Sequence, residues 1–125
     1  MPDVSVLETF VAPSDQPFVI EHINDEFTST CPITGHPDFG TIVLRYQPAS
    51  PGGKCVELKS LKLYYQSFRN EGIFYEGVTN RIRDDLNALM QPAWLQVITQ
   101  WRGRGGIRSV IRATAGDVPE EWKTR

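Results

Sequence analysis

Apolar and β-branched residues alternate with polar ones from Phe18 to Asn24 (F-V-I-E-H-I-N), a pattern that predicts a strand with one covered face. A second strand is predicted over Phe39–Gln47, where Ile42, Leu44 and Tyr46 alternate with Thr41, Val43 and Arg45. The stretch between them, Cys31 to Asp38, holds two prolines and a glycine and reads as a loop; Pro48 to Gly53 reads as a turn. The period then changes. Apolar residues at Leu58, Leu61, Tyr64, Tyr65 and Phe68 recur at helical spacing, and Asn70-Glu-Gly72 interrupts that helix. Phe74, Val78, Ile82, Leu86 and Leu89 mark one face of a second helix that ends before Pro92. Trp94–Trp101 and Ile107–Ala113 return to strand composition, joined by a tight Arg102-Gly-Arg-Gly-Gly106 connection.

Two strands, two helices and two strands in that order predict an α+β domain: an antiparallel ββααββ sheet with the helix pair on one face. The expected organisation is a loosely held N-terminal arm over 1–17, a single domain over 18–113, and a polar, frayed C-terminal tail over 114–125. One layer of this size buries a modest core, so self-association is the natural way to cover the far face of the sheet.

Composition narrows the picture. The 125 residues are 40% hydrophobic and 22% charged, which excludes a disordered tail, and no apolar run approaches the roughly 20 residues that span a bilayer. Thirteen Lys and Arg against fifteen Asp and Glu give a formal net charge of −2, which argues against a polycationic nucleic-acid coat. The segment Met1–Phe10 carries Asp3 and Glu8 and lacks the basic and apolar regions of a secretory signal, so a cytoplasmic protein is expected. Two cysteines form no disulfide framework, and neither they nor His22 and His36 have metal-ligand spacing; no metal is assigned.

Four groups of residues could carry chemistry. Cys31 lies in a loop, where a thiol can be exposed and react as a thiolate, and Asp38 could deliver a proton at the attacked atom; the alternative is a small buried hydrophobe. Lys59 and Lys62 sit three apart at a helix start, where free backbone N–H groups would help seat a phosphate; the alternative is an ordinary solvated lysine face. Glu76 begins a helix, where the macrodipole favours a carboxylate, or it accepts paired hydrogen bonds from an amidine-like edge such as that of guanine. The glycines and arginines of Arg102–Gly106 suit either a phosphate or a hairpin turn. Arg81, Arg83, Arg108 and Arg112 could add an RNA-binding patch, but Asp84 and Asp85 interrupt it.

Two longer motifs contain several of these residues. Glu57-Leu-Lys-Ser-Leu-Lys-Leu-Tyr64 and Phe27-Thr-Ser-Thr-Cys-Pro-Ile-Thr-Gly-His-Pro-Asp-Phe39, with Ser67-Phe-Arg-Asn70, Glu76 and Arg104-Gly-Gly-Ile107, resemble the nitrile oxidoreductases that reduce 7-cyano-7-deazaguanine (preQ0) to the aminomethyl product preQ1 for tRNA queuosine biosynthesis. The resemblance runs from about Phe18 to Ala113 and is to the short, single-domain branch of that family. It implies the tunnelling fold, with subunits assembled in rings, a decamer of two stacked pentamers, and active sites between subunits. It implies Cys31 as a nucleophile forming a thioimide with preQ0, Asp38 as the proton donor that also assists Cys31, and NADPH as the hydride source. Glu57, Ser60 and Glu76 would hold the substrate, and Lys59, Lys62 and Arg104 the NADPH phosphates.

One departure stands out. The family has His immediately before the substrate-binding Glu, whereas this chain has Phe74-Tyr75-Glu76. Tyr75 taking over that catalytic place, His36 contributing instead, or a lowered activity would each follow. Cys55, two residues before Glu57, could form a reversible, protective disulfide with Cys31 or be an unrelated strand-end residue. Rival readings of the whole chain are an amidinotransferase acting on preQ0 already in tRNA, a pterin-type enzyme on the same fold, and a non-catalytic purine-binding module.

Overall fold

The computed structural model describes all 125 residues. In chain order the elements are β1 (Thr9–Val11), β2 (Ile20–Thr30), β3 (Pro37–Gln47), β4 (Lys54–Val56), α1 (Leu58–Gln66), α2 (Tyr75–Met90), β5 (Trp94–Arg104), β6 (Ile107–Gly116) and α3 (Glu120–Lys123). Strands β2-β3-β5-β6 form one antiparallel sheet, and β1 pairs with β4 in a small second one. The structure is therefore the α+β arrangement that the alternating periods predict, with α1 and α2 on one face of the main sheet.

Burial follows the pleat. Ile42, Leu44 and Tyr46 of β3 and Leu95 and Val97 of β5 pack against Leu61, Tyr64, Val78, Ile82 and Leu86 from the two helices. Phe27 of β2 meets Tyr65, Phe68 and Trp101 edge-on or tilted, closing the core at the end nearest Cys31. Helix α2 stops at Gln91, which takes a left-handed φ of 48° and whose N–H bonds the Asn87 carbonyl, just before Pro92 prevents continuation.

Four sequence expectations change. Strand β2 does not end at Asn24. A bulge between Asn24 and Phe27 absorbs the charged Asp25-Glu26 pair, with the Glu26 N–H bonded to Asn24 Oδ1, and pairing resumes through Thr30. Strand β5 likewise continues past Trp101 to Arg104. Only Gly105 and Gly106, with φ of 57° and 80°, make the turn, as a two-residue hairpin requires.

The N-terminal arm is pinned rather than loose. Strand β1 pairs with β4, the Glu8 N–H bonds Ser60 Oγ, the Asp3 N–H bonds Ser67 Oγ, and the Glu57 N–H bonds the Glu8 carbonyl. The tail is docked as well. Val118 is buried, Trp122 of α3 lies 6.1 Å from Trp94, and Arg45 reaches from β3 over the Trp122 ring to the Arg125 carbonyl. That contact covers one end of the sheet's far face, while Ile23 and Val110 on the same face stay open. No helix is long and apolar enough to cross a membrane.

Candidate active site

Cys31 follows the last residue of β2 and starts a tight loop. Its N–H bonds the His36 carbonyl, and its carbonyl accepts from the Gly35 N–H, where a φ of 73° favours glycine. Folding the loop this way directs the Thr34 hydroxyl and the backbone N–H groups of Thr34 and Ile33 at the sulfur. These donors hold the Cys31 thiol below its ordinary value, against partial burial and the charge of Asp38, which both push it up. The Thr34 hydroxyl also accepts from the His36 N–H, so it is oriented from its other side. His36 contributes its backbone to this arrangement, and its side chain is exposed.

Asp38 lies across the strand pair from Ser29 and is 4% exposed. Arg104 Nη2 makes an ion pair with Asp38 Oδ1 at 2.6 Å and donates to the Pro37 carbonyl at 2.9 Å. The Tyr75 hydroxyl donates to the same Oδ1 at 3.3 Å. The Tyr75 ring stacks on Trp101, with centroids 4.1 Å apart and planes 9° from parallel. Burial and then the neighbouring Asp38 raise the Tyr75 phenol, which keeps it protonated and a donor. Tyr75 is therefore a fixed hydrogen-bond donor to the Asp38 carboxylate. Its second contact, with Trp101, orients the ring.

The α1 residues form a separate group. Glu57 caps the helix: its carboxylate accepts from the Lys59 N–H at 2.7 Å and the Ser60 N–H at 2.8 Å, and these bonds hold it below the usual carboxylate range. This corrects the expectation of a phosphate seat with free N–H groups at that helix start, because two of them are already bonded. Each Glu57 oxygen retains a second acceptor position. Ser60 is buried; its Oγ accepts from the Glu8 N–H and donates to the Glu57 carbonyl. Lys59 and Lys62 are exposed and join none of the ion pairs, so two free ammonium groups on one helix fit a polyanion such as a dinucleotide phosphate. Arg104, by contrast, is committed to Asp38.

These two groups do not meet within one chain. Leu58 and Lys62 border the His22–Glu26 stretch of β2, whereas the turn after α1 bonds Thr30 through Glu71 and Ile73. Helix α1 thus runs along β2 toward Cys31 with its capped end pointing away. Six strand residues, Asp25 to Thr30, lie between Asn24 and Cys31, a span of roughly 20 Å. Glu76, exposed in the first turn of α2, follows Tyr75 on the Cys31 side. None of the principal clefts is lined by Cys31, Glu57, Ser60 or Glu76.

Both cysteines are free. Cys55 is buried in β4 beside the Tyr46 hydroxyl, not beside Cys31, which removes the proposed disulfide from the folded chain. Sequence reasoning missed two residues. Thr34 lies within the Phe27–Phe39 motif, but only the loop's closure aims its hydroxyl at sulfur. Ser29 has a fully buried Oγ with no hydrogen-bond partner, and the β2–β3 register sets it opposite Asp38. The available signal was the strand pairing that a Cys31–Asp38 loop imposes.

A thiol held low by hydroxyl and amide donors, beside a buried carboxylate on an antiparallel sheet, has the chemistry that a cysteine nucleophile requires. Comparison with known proteins places the chain in a family. Residues 37–120 match the family model described as QueF-like protein. The chain is 59% identical over 97 residues, 78% of its length and 81% of the relative's, to the NADPH-dependent 7-cyano-7-deazaguanine reductase of Pelodictyon phaeoclathratiforme. It is 54% identical over 114 residues, 90% of this chain and 91% of the relative, to the reductase of the same name from Anaeromyxobacter sp. strain K. Its fold is similar to that of an archaeosine synthase QueF-Like crystal structure in the apo form, with a TM-score of 0.69, 20% identity, and coverage of 85% of this chain and 99% of that one. The chain belongs to the QueF-like family.

Proposed function

We propose that this protein is an NADPH-dependent nitrile oxidoreductase that reduces 7-cyano-7-deazaguanine (preQ0) to 7-aminomethyl-7-deazaguanine (preQ1) in queuosine biosynthesis. The observation that carries the reading is the Cys31 sulfur, supported by Thr34 and Ile33 and set beside Asp38, in a chain more than half identical to reductases of that name.

In this reading Cys31 Sγ attacks the nitrile carbon. The S–H proton passes by way of Asp38 to the nitrile nitrogen, leaving a covalent thioimide; no electrons are exchanged in that step. NADPH supplies hydride, and two equivalents with two protons take the nitrile to the primary amine, freeing Cys31. Glu76 and the spare acceptor positions of Glu57 hold the guanine-like edge by charge-assisted hydrogen bonds, and Ser60 fixes Glu57. Lys59 and Lys62 receive the dinucleotide phosphates. Tyr75 serves as the donor that orients Asp38.

The distance between the Cys31 and Glu57 groups supports a site completed by a second copy of the chain, with α1 of one subunit facing the Cys31 loop of another. A homo-oligomeric ring, a decamer of two pentamers, supplies that juxtaposition, and the solution mass measures it. In this reading the protein acts in the cytoplasm on a free small molecule, with neither nucleic acid nor membrane engaged directly. The deciding experiment incubates the full chain with preQ0 and NADPH and follows cofactor oxidation. About two NADPH per amine is expected from the four-electron balance, with none consumed by Cys31→Ala. No oxidation by wild-type protein would reject the reading.

A further inference from the structure

We propose that Arg104 is a positioning residue for the proton-transferring carboxylate of Asp38, not a ligand for cofactor phosphate; this rests on the reductase reading above. Asp38 is 4% exposed, and a carboxylate removed from water needs a charged or multiply donating partner. Arg104 is the cation it has, at 2.6 Å on Oδ1.

Arg104 is itself fixed. Its Nη2 donates to the Pro37 carbonyl, the backbone group immediately before Asp38, so the guanidinium grips the start of β3 through both a main-chain and a side-chain oxygen. The arginine is brought there because β5 continues beyond Trp101 and pairs Arg104 with Ile107 across the two-glycine turn. It remains 48% exposed, while the side chain of Asp38 is 5% exposed. The Tyr75 hydroxyl, on a ring stacked against Trp101, approaches the same Oδ1 from α2.

The result is a division of labour between the two oxygens of one carboxylate. Oδ1 is taken by Arg104 and Tyr75, which fixes the rotation of the group, and Oδ2 makes no hydrogen bond in the folded chain. Oδ2 is then the oxygen that takes the proton as the Cys31 S–H bond breaks and the S–C bond forms, and that returns it to the nitrile nitrogen. Asp38 ends the step as it began. The charged and titratable groups that meet Asp38 are Cys31 from the loop after β2, Tyr75 from α2 and Arg104 from β5.

Two roles for Arg104 separate cleanly because thioimide formation needs no NADPH. The experiment mixes the full chain with saturating preQ0 alone and follows thioimide absorbance in wild type, Arg104→Ala and Arg104→Lys. The expected result is a fall of about 30- to 100-fold in the adduct rate for the alanine variant, the scale of misplacing a proton-transfer group. The preQ0 concentration for half-saturation should stay nearly constant, and lysine should restore part of the rate by keeping the charge. Should the alanine variant fail to fold, the lysine variant still reads the proposal, because its ammonium ends one bond short of the Nη2 that meets both oxygens, and its adduct rate should lie below wild type. A wild-type adduct rate in either folded variant, with the defect appearing only as a raised KM for NADPH, would overturn the proposal and return Arg104 to the phosphates. Absence of adduct in wild type itself would instead overturn the reductase reading, and this inference with it.

Discussion

The two cysteines of this chain occupy opposite environments, and the contrast shows how little residue type says about reactivity. Cys31 stands at the mouth of a loop whose closure points one hydroxyl and two amide N–H groups at its sulfur, and its thiol is held low. Cys55 lies in a three-residue strand, buried between the pinned arm and the core; burial pushes its thiol up, and the single hydroxyl of Tyr46 only partly offsets that. One sulfur is prepared to be charged. The other behaves as a small apolar side chain that fills space.

The largest expected effect follows directly. Cys31→Ala should lower preQ0 reduction by about 10³-fold or more, as removal of a nucleophile does, with the melting temperature little changed because the side chain is half-exposed. Cys55→Ala should do the reverse, preserving turnover while costing about 1–2 kcal/mol for the cavity it leaves. Steady-state NADPH oxidation and thermal melts on both variants make the check. Equal losses of activity would erase the distinction drawn between the two sites.

Alkylation sharpens the same contrast at smaller amplitude. With iodoacetamide near neutral pH, Cys31 should be modified at least about 100-fold faster than Cys55, which reacts only when β4 opens locally. Tyr46→Phe should narrow the gap from one side only. It leaves the Val56 N–H, which bonds the Tyr46 hydroxyl at 3.0 Å, buried without a partner, at a cost of about 1–3 kcal/mol. Faster labelling of Cys55 with an unchanged rate at Cys31 is the expected outcome, read by peptide mass analysis. Faster labelling at both positions would mean that the two regions open together.

How much of this was legible beforehand divides along physical lines. The type and order of the four main strands and two long helices were readable because periodicity is local: the alternation at Ile42–Tyr46 and the helical spacing at Val78–Leu86 needed no knowledge of partners, whereas the short β1, β4 and α3 carry too few residues to show a period. Strand ends were not. Asp25-Glu26 breaks the apolar alternation, and only pairing with β3 shows that a bulge absorbs the break and carries Ser29 opposite Asp38. The arm and tail looked loose because their anchors are single residues, such as Trp122 against Trp94, with no period to announce them. Within the site, Cys31 and Asp38 could be picked out as chemistry, but their supports could not. The Thr34 hydroxyl serves sulfur because of how the loop closes, and Arg104 reaches Asp38 because β5 runs three residues past its last aromatic residue. Glu57 shows the converse: its sequence suits a substrate ligand, and its backbone hydrogen bonds reveal a helix cap as well.

The smallest effect tests the support of Cys31 alone. Thr34→Val keeps side-chain volume and removes the hydroxyl, whose hydrogen bond is the largest of the influences holding the Cys31 thiol low. The sign is fixed by charge. A donor to sulfur stabilises thiolate over thiol, so losing it moves the thiol's titration upward and leaves less thiolate at any pH below the midpoint. The profile of alkylation rate against pH should therefore shift to higher pH in Thr34→Val. At neutral pH the rate should fall about 3- to 10-fold, the scale of one hydrogen bond of about 0.5–1.5 kcal/mol. Rates at high pH, where both proteins are fully thiolate, should converge. That convergence separates a lost hydrogen bond from a displaced loop: if the loop had moved and buried the sulfur, the variant would stay slower even at the alkaline plateau, and Thr34 would be a loop-forming residue with no direct hold on Cys31.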